Sequence, residues 1–190
     1  KTGKIRAIAN LGRTSEGTYY EKLNYAVGEL NEPGSTFKLI SMIAALEDKA
    51  IEPEELIDTG KGEITFYNKY KVRDAKKGGY GLISAAKVFE SSSNTGMVNI
   101  VYDYYKDDPS KFVNRLYNMG VNKRLGVSIK GEPRPKIPYP SDKDWDGLDL
   151  PWMAYGYGVS MTPLQILSFY NAVANDGELL RPQFIEKITN

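Results

Sequence analysis

The chain has 190 residues, with 25 Lys and Arg against 24 Asp and Glu for a net charge of +1, and 41% of its residues are hydrophobic. That balance supplies no bulk field for nucleic acid or an anionic membrane, while the apolar fraction suffices for a packed globular domain. There is no His and no Cys, which excludes a Ser-His-Asp triad, cysteine nucleophiles, thiolate or imidazole zinc sites and disulfides, and confines any chemistry to Ser, Thr, Lys, Tyr and carboxylates.

The segment Lys4 to Leu11 alternates between the turn-prone Thr2-Gly3 and Gly12 and is predicted to be a strand. Because this pattern begins almost at once and the first residue is Lys1, the chain reads as a piece of a longer protein. From Thr36 to Ala50 the apolar residues Phe37, Leu39, Ile40, Met42, Ile43, Ala44 and Leu46 cover most of a helix surface, with Pro33-Gly34 marking its start. Residues 51–80 are charged and glycine-rich, with short strands expected near Ile64-Thr65-Phe66 and Tyr70-Lys71-Val72. Two helices should follow, Ile83 to Glu90 and Thr95 to Tyr105. They are separated by Ser91-Ser92-Ser93-Asn94, whose side chains favour caps and turns over helix interiors.

Pro109 and Gly120 frame a further helix, Ser110 to Met119. The stretch 121–161, with five prolines, is predicted to be a long surface excursion. Thr162-Pro163-Leu164-Gln165 has the residues of a capping box and opens a last helix that Gly177 should close; Leu179 to Ile188 should add a strand or two. No run approaches the roughly 20 apolar residues that a spanning helix needs.

Without His, a serine nucleophile needs another base, and a lysine held neutral can serve. Lys three residues after Ser on a helix lies on nearly the same face. With 12 Ser and 18 Lys the pattern should arise about once by chance; it occurs twice, at Ser35/Lys38 and Ser84/Lys87. Ser35 stands at the first turn of the most apolar helix, where backbone N–H groups are unpaired, and Lys38 between Phe37 and Leu39 should be partly desolvated. The bland alternative, a helix cap with a snorkelling lysine, also fits Ser35. For Ser84 the cap is the preferred reading. Ser92-Ser93-Asn94 taken alone is a turn; beside a Ser-Lys pair it offers a hydroxyl to shuttle a proton and an amide to hold a peptide.

Three segments in order, Glu32-Pro33-Gly34-Ser35-Thr36-Phe37-Lys38, Ser92-Ser93-Asn94 and Gly156-Tyr157-Gly158-Val159-Ser160-Met161-Thr162-Pro163-Leu164-Gln165, closely resemble the transpeptidase domain of class B penicillin-binding proteins. The opening Lys1 to Asn10 and Arg73-Asp74 fit the same family, and Asn24-Tyr25-Ala26-Val27 is more similar to its division-type members. The resemblance implies an α+β, predominantly helical, serine β-lactamase-like fold, with residues 1–190 forming one partial transpeptidase domain. It also implies that Ser35 is the acylated nucleophile, Lys38 the base, Ser92 the proton relay and Asn94 the substrate-binding amide. The reaction would be peptidoglycan D,D-transpeptidation, with no cofactor and no metal. Stem peptides and β-lactams would be ligands and divisome membrane proteins partners, on the periplasmic face of a bacterial membrane reached through an anchor outside this chain.

The family's third motif, Lys-Thr/Ser-Gly, is not found after Thr162, and Lys1-Thr2-Gly3 has its letters in a position that makes it a decoy. The chain is therefore expected to lack the C-terminal strands of the fold and to be catalytically incompetent alone. Two alternatives compete with this reading: a serine β-lactamase, for which neither Glu63 nor Asp74 makes a convincing water-activating base, and a non-catalytic β-lactam sensor or scaffold.

Overall fold

A computed structural model describes residues 2–188. The elements in order are β1 (Leu11–Arg13), β2 (Tyr19–Glu21), α1 (Tyr25–Gly28), a 3-10 turn (Gly34–Phe37), α2 (Lys38–Glu47), β3 (Leu56–Asp58), β4 (Glu63–Phe66), β5 (Tyr70–Arg73), β6 (Leu82–Ser84), α3 (Ala85–Glu90), α4 (Asn94–Tyr105), α5 (Pro109–Asn118), α6 (Asp149–Met153) and α7 (Pro163–Val173). They fall into two compact units. One comprises residues 1–31, 121–136 and 160–190, the other residues 32–120 and 137–159.

In the first unit α1 packs on α7, and β1 pairs antiparallel with β2. The capping box at α7 is complete: Thr162 Oγ1 accepts from the Gln165 N–H at 3.2 Å, and Gln165 Oε1 accepts from the Thr162 N–H at 2.9 Å. The strand expected over Lys4 to Leu11 is instead extended chain. It makes one parallel bridge, Lys4 with Gln183, before the short β1 ladder. Alternation made this backbone extended, but a strand also needs a partner ladder. The same holds for Leu179 to Ile188, which among the described residues pairs only at Gln183. Gly177 sits at φ +84° with its N–H on the Ala172 carbonyl, one turn beyond the end of α7 at Val173.

The second unit is built on α2, which packs against α4 and α5. Met42, Ala45, Ile51, Ala85, Val88, Met97 and Ile100 form its core, and Ile57 and Ile83 pack against them. The helix expected to reach Ala50 ends at Glu47. Lys49 takes a left-handed φ of +54° and the Ala50 N–H returns to the Ala45 carbonyl, a Schellman closure that brings Ile51 back into the core. Ile83 is in β6 rather than in a helix, opposite Ile57 of β3, and Ser84 caps the helix after it. The β4–β5 hairpin turns through Tyr67, Asn68 and Lys69; the first two have positive φ, and the Lys69 N–H donates to the Phe66 carbonyl at 3.0 Å. The stretch 121–161 is not only a surface excursion: Ile137, Leu150, Met153, Ala154 and Val159 are buried, and α6 lies within it. Its prolines hid that helix, although Pro151 falls in the first turn, where its missing N–H costs no helical hydrogen bond.

Candidate active site

The site lies in the second unit and starts from the Pro33-Gly34 turn. Gly34 is left-handed (φ +54°), and its N–H donates to the Gly156 carbonyl at 2.9 Å. Gly156 itself has φ +91°, and a Cβ there would lie 2.0 Å from Gly34 O, so only glycine permits this approach. Glu32 Oε1 accepts from the Gly158 N–H at 2.9 Å, a second tie between the same two loops. Ser35 is thereby presented, exposed, in the 3-10 turn that leads into α2.

One turn later, Lys38 is 1% exposed. Its Nζ donates to Ser92 O at 2.6 Å, Ser92 Oγ at 2.9 Å and Asn94 Oδ1 at 2.6 Å. Three acceptors for three ammonium protons describe the charged resting form with every donor occupied. Burial pushes the Lys38 pKa down to about 8, against the opposing pull of the Asp74 carboxylate. Losing a proton leaves a lone pair, and Ser92, whose hydroxyl can donate as well as accept, is placed to satisfy it.

Ser92 and Asn94 are held by the turn between α3 and α4. Ser92 adopts φ +53°, an uncommon conformation for a non-glycine residue. Ser93 is fully buried and caps α4, its Oγ accepting from the Gly96 N–H at 3.0 Å. Asn94 Nδ2 donates to the Arg73 carbonyl at 2.7 Å, which leaves Oδ1 for Lys38. Asp74 accepts from Ser93 Oγ, the Thr95 N–H and Thr95 Oγ1 at 2.8 to 3.1 Å. Ser35, Lys38, Ser92 and Asn94, far apart in sequence, thus belong to two adjoining helix starts, with Lys38 bonded to two of them. In the sequence Asp74 stands out only through the family resemblance of Arg73-Asp74, which does not assign it these contacts. The available signals were a lone carboxylate between glycine-rich segments and a Ser-Asn-Thr helix start in need of acceptors.

The second Ser-x-x-Lys is a cap. Ser84 Oγ accepts from the Lys87 N–H at 3.2 Å, and the Lys87 amine pairs with Glu90 in solvent. Of Lys1-Thr2-Gly3, Lys1 lies outside the described residues; the Gly3 carbonyl accepts from the Gln183 N–H. Glu63 is exposed, and its hydrogen bonds to Lys71 and Arg73 hold its carboxyl below the usual range, the opposite of what a poised hydrolytic base needs. Among the described residues no group of three or more His, Cys, Asp or Glu is arranged to hold a metal. No described helix is long and apolar enough to cross a membrane.

The family model described as the penicillin binding protein transpeptidase domain matches residues 1–190. The penicillin-binding protein PbpB of Mycolicibacterium smegmatis is 31% identical over 98% of this chain, which spans 28% of that protein's length. The peptidoglycan D,D-transpeptidase FtsI of Escherichia coli is 26% identical over 98% of the chain and 31% of its own. Among solved structures, the apo transpeptidase domain of Burkholderia pseudomallei penicillin-binding protein 3 superimposes with a TM-score of 0.78 at 25% identity. That match covers 98% of this chain and 51% of that one.

Proposed function

The chain belongs to the penicillin-binding protein transpeptidase family, and from that premise we propose that its second unit carries the nucleophile, base and relay of a septal-type peptidoglycan D,D-transpeptidase. The buried Lys38 amine, one helical turn from an exposed Ser35 and bonded to Ser92 and Asn94, is the observation that carries the reading. The names of the relatives PbpB and FtsI support the septal type. The match of one family model across both units supports a single transpeptidase domain.

In this reading Ser35 Oγ attacks the carbonyl carbon between the two terminal D-alanines of a stem peptide while neutral Lys38 takes its proton. With a pKa of about 8, roughly a tenth of Lys38 is neutral at pH 7. The Ser35 N–H lies in the first turn of its helical segment and in this reading would donate to the developing oxyanion. As the tetrahedral adduct collapses, the C–N bond breaks and the departing amine receives the proton from Lys38 through the Ser92 hydroxyl, releasing D-alanine and leaving an ester on Ser35. An amine of a neighbouring stem then attacks the ester, gives up its proton along the same relay, and Ser35 Oγ is restored as the new amide forms. Asn94 contributes its amide to the substrate backbone. The protein works on the outer face of the cytoplasmic membrane, in contact with peptidoglycan and divisome membrane proteins.

Covalent labelling by a fluorescent penicillin tests this, in the 190-residue chain and in a longer chain bearing a Lys-Thr/Ser-Gly strand. A second cationic group and an added oxyanion donor from that strand should speed acylation by a factor of about 100 or more. A stable adduct with slow release is expected. Rapid turnover of a chromogenic β-lactam would overturn the transpeptidase assignment in favour of a hydrolase.

A further inference from the structure

We propose that Asp74 is a positioning residue of this site: by gripping Ser93 and Thr95 on either side of Asn94, its carboxylate holds Asn94 and Ser92 against the amine of Lys38. The inference rests on the reading of Lys38 as the base.

The grip is two-sided. Oδ1 accepts from the Thr95 N–H at 3.0 Å and Ser93 Oγ at 3.1 Å, and Oδ2 accepts from Thr95 Oγ1 at 2.8 Å and Ser93 Oγ at 3.0 Å. One residue earlier, the Arg73 carbonyl takes the Asn94 amide. Two consecutive residues therefore fix three consecutive residues of the α4 start. Ser93 Oγ caps only the Gly96 N–H; Asp74 takes a second first-turn donor, the Thr95 N–H, and beyond capping it also holds the hydroxyls of Ser93 and Thr95 on either side of Asn94. Asp74 is anchored in turn. Its N–H donates to the Gly62 carbonyl at 2.9 Å, and Gly62 packs so tightly on Gly79 that a Cβ on Gly62 would lie 2.7 Å from the Gly79 Cα and 3.3 Å from the Asp74 Cβ. The glycines around the hairpin form the seat of the carboxylate.

Asp74 also acts by charge. Of the charged groups, it is the one among the described residues whose field registers on Lys38; Ser92 and Asn94 face the amine as neutral acceptors. Its negative charge favours the ammonium and so opposes the effect of burial. Asp74 thus positions the relay while restraining the base, and removing its charge should make Lys38 easier to deprotonate.

Carbon-13 NMR of lysine Cε tests both effects, with the Lys38 resonance assigned by its loss in Lys38→Met. In Asp74→Asn the Lys38 midpoint should fall below the wild-type value, and Asp74→Glu, which restores the charge, should return it toward wild type. In Thr95→Val, exchange of the Asn94 side-chain amide protons should quicken about tenfold or more, the scale of a lost hydrogen bond to a charged acceptor. Absence of either shift overturns the proposal. If Asp74→Asn does not fold, the Thr95→Val exchange rate decides. Neither readout requires acylation, so failure of Ser35 to label would refute the functional reading without being mistaken for failure of the Asp74 clamp.

Discussion

Replacing Lys38 by Met removes one titrating group from the interior and leaves every other ionisable residue in place. The native Lys38 pKa is lowered from 10.5 to about 8, chiefly by burial. At 1.36 kcal/mol per pH unit, the gap between 10.5 and about 8 corresponds to about 3 kcal/mol of pH-dependent stability. Below pH 8 both native and unfolded chains carry the proton, and Lys38 gives no slope. Between pH 8 and 10.5 the native protein has released it while the unfolded chain retains it, so wild-type stability should climb relative to Lys38→Met by about 1.4 kcal/mol per unit. Above 10.5 the difference should level off. Urea unfolding of the two proteins at pH 7, 8, 9, 10 and 10.5 reads this directly, because tyrosine and surface lysine titrations are common to both and cancel. Curves that stay parallel across the range within about 0.5 kcal/mol would mean that Lys38 ionises like a lysine in water, and the desolvated base would be lost from the account.

Three further expectations concern rate and stability. The acylation rate with a labelled penicillin should rise with pH and level off above about 8; at pH 6 only about a hundredth of Lys38 is neutral. A rate independent of pH between 6 and 9 would contradict Lys38 as the base. Gly156→Ala should destabilise the protein by about 3 kcal/mol, because the new Cβ meets the Gly34 carbonyl. Gly34→Ala, where a Cβ meets nothing within 4 Å, should cost only the left-handed penalty of about 1–2 kcal/mol; equal losses in thermal unfolding would refute the close approach. Thr162→Ala removes one half of the α7 capping box and should cost about 1 kcal/mol, with faster amide exchange in the first turn of α7.

What the sequence disclosed was local chemistry. Pro33-Gly34, the apolar run through α2, the Thr162 box and the Ser84 cap each carry their own signal within a few residues, and each sits as expected. Features depending on a distant partner were not legible. Lys4 to Leu11 alternates like a strand but finds a partner mainly at Gln183, and Ile83 reads as helix until Ile57 is seen opposite it. At the site the four candidate residues could be named, whereas the grip of Asp74 could not. It links residues 74, 93 and 95 through side-chain contacts that no periodicity encodes, and it depends on a glycine contact between Gly62 and Gly79 that looks like ordinary loop composition.

In the proposed reaction Ser35, and not Ser84 of the same Ser-x-x-Lys spacing, would be acylated. Labelled penicillin, followed by proteolysis and peptide mass spectrometry, tests it most directly in wild type, Ser35→Ala and Ser84→Ala. The mass of one acyl group should appear on the peptide containing Ser35, vanish in Ser35→Ala and persist in Ser84→Ala. Label on any other serine, or label surviving in Ser35→Ala, would contradict the assignment.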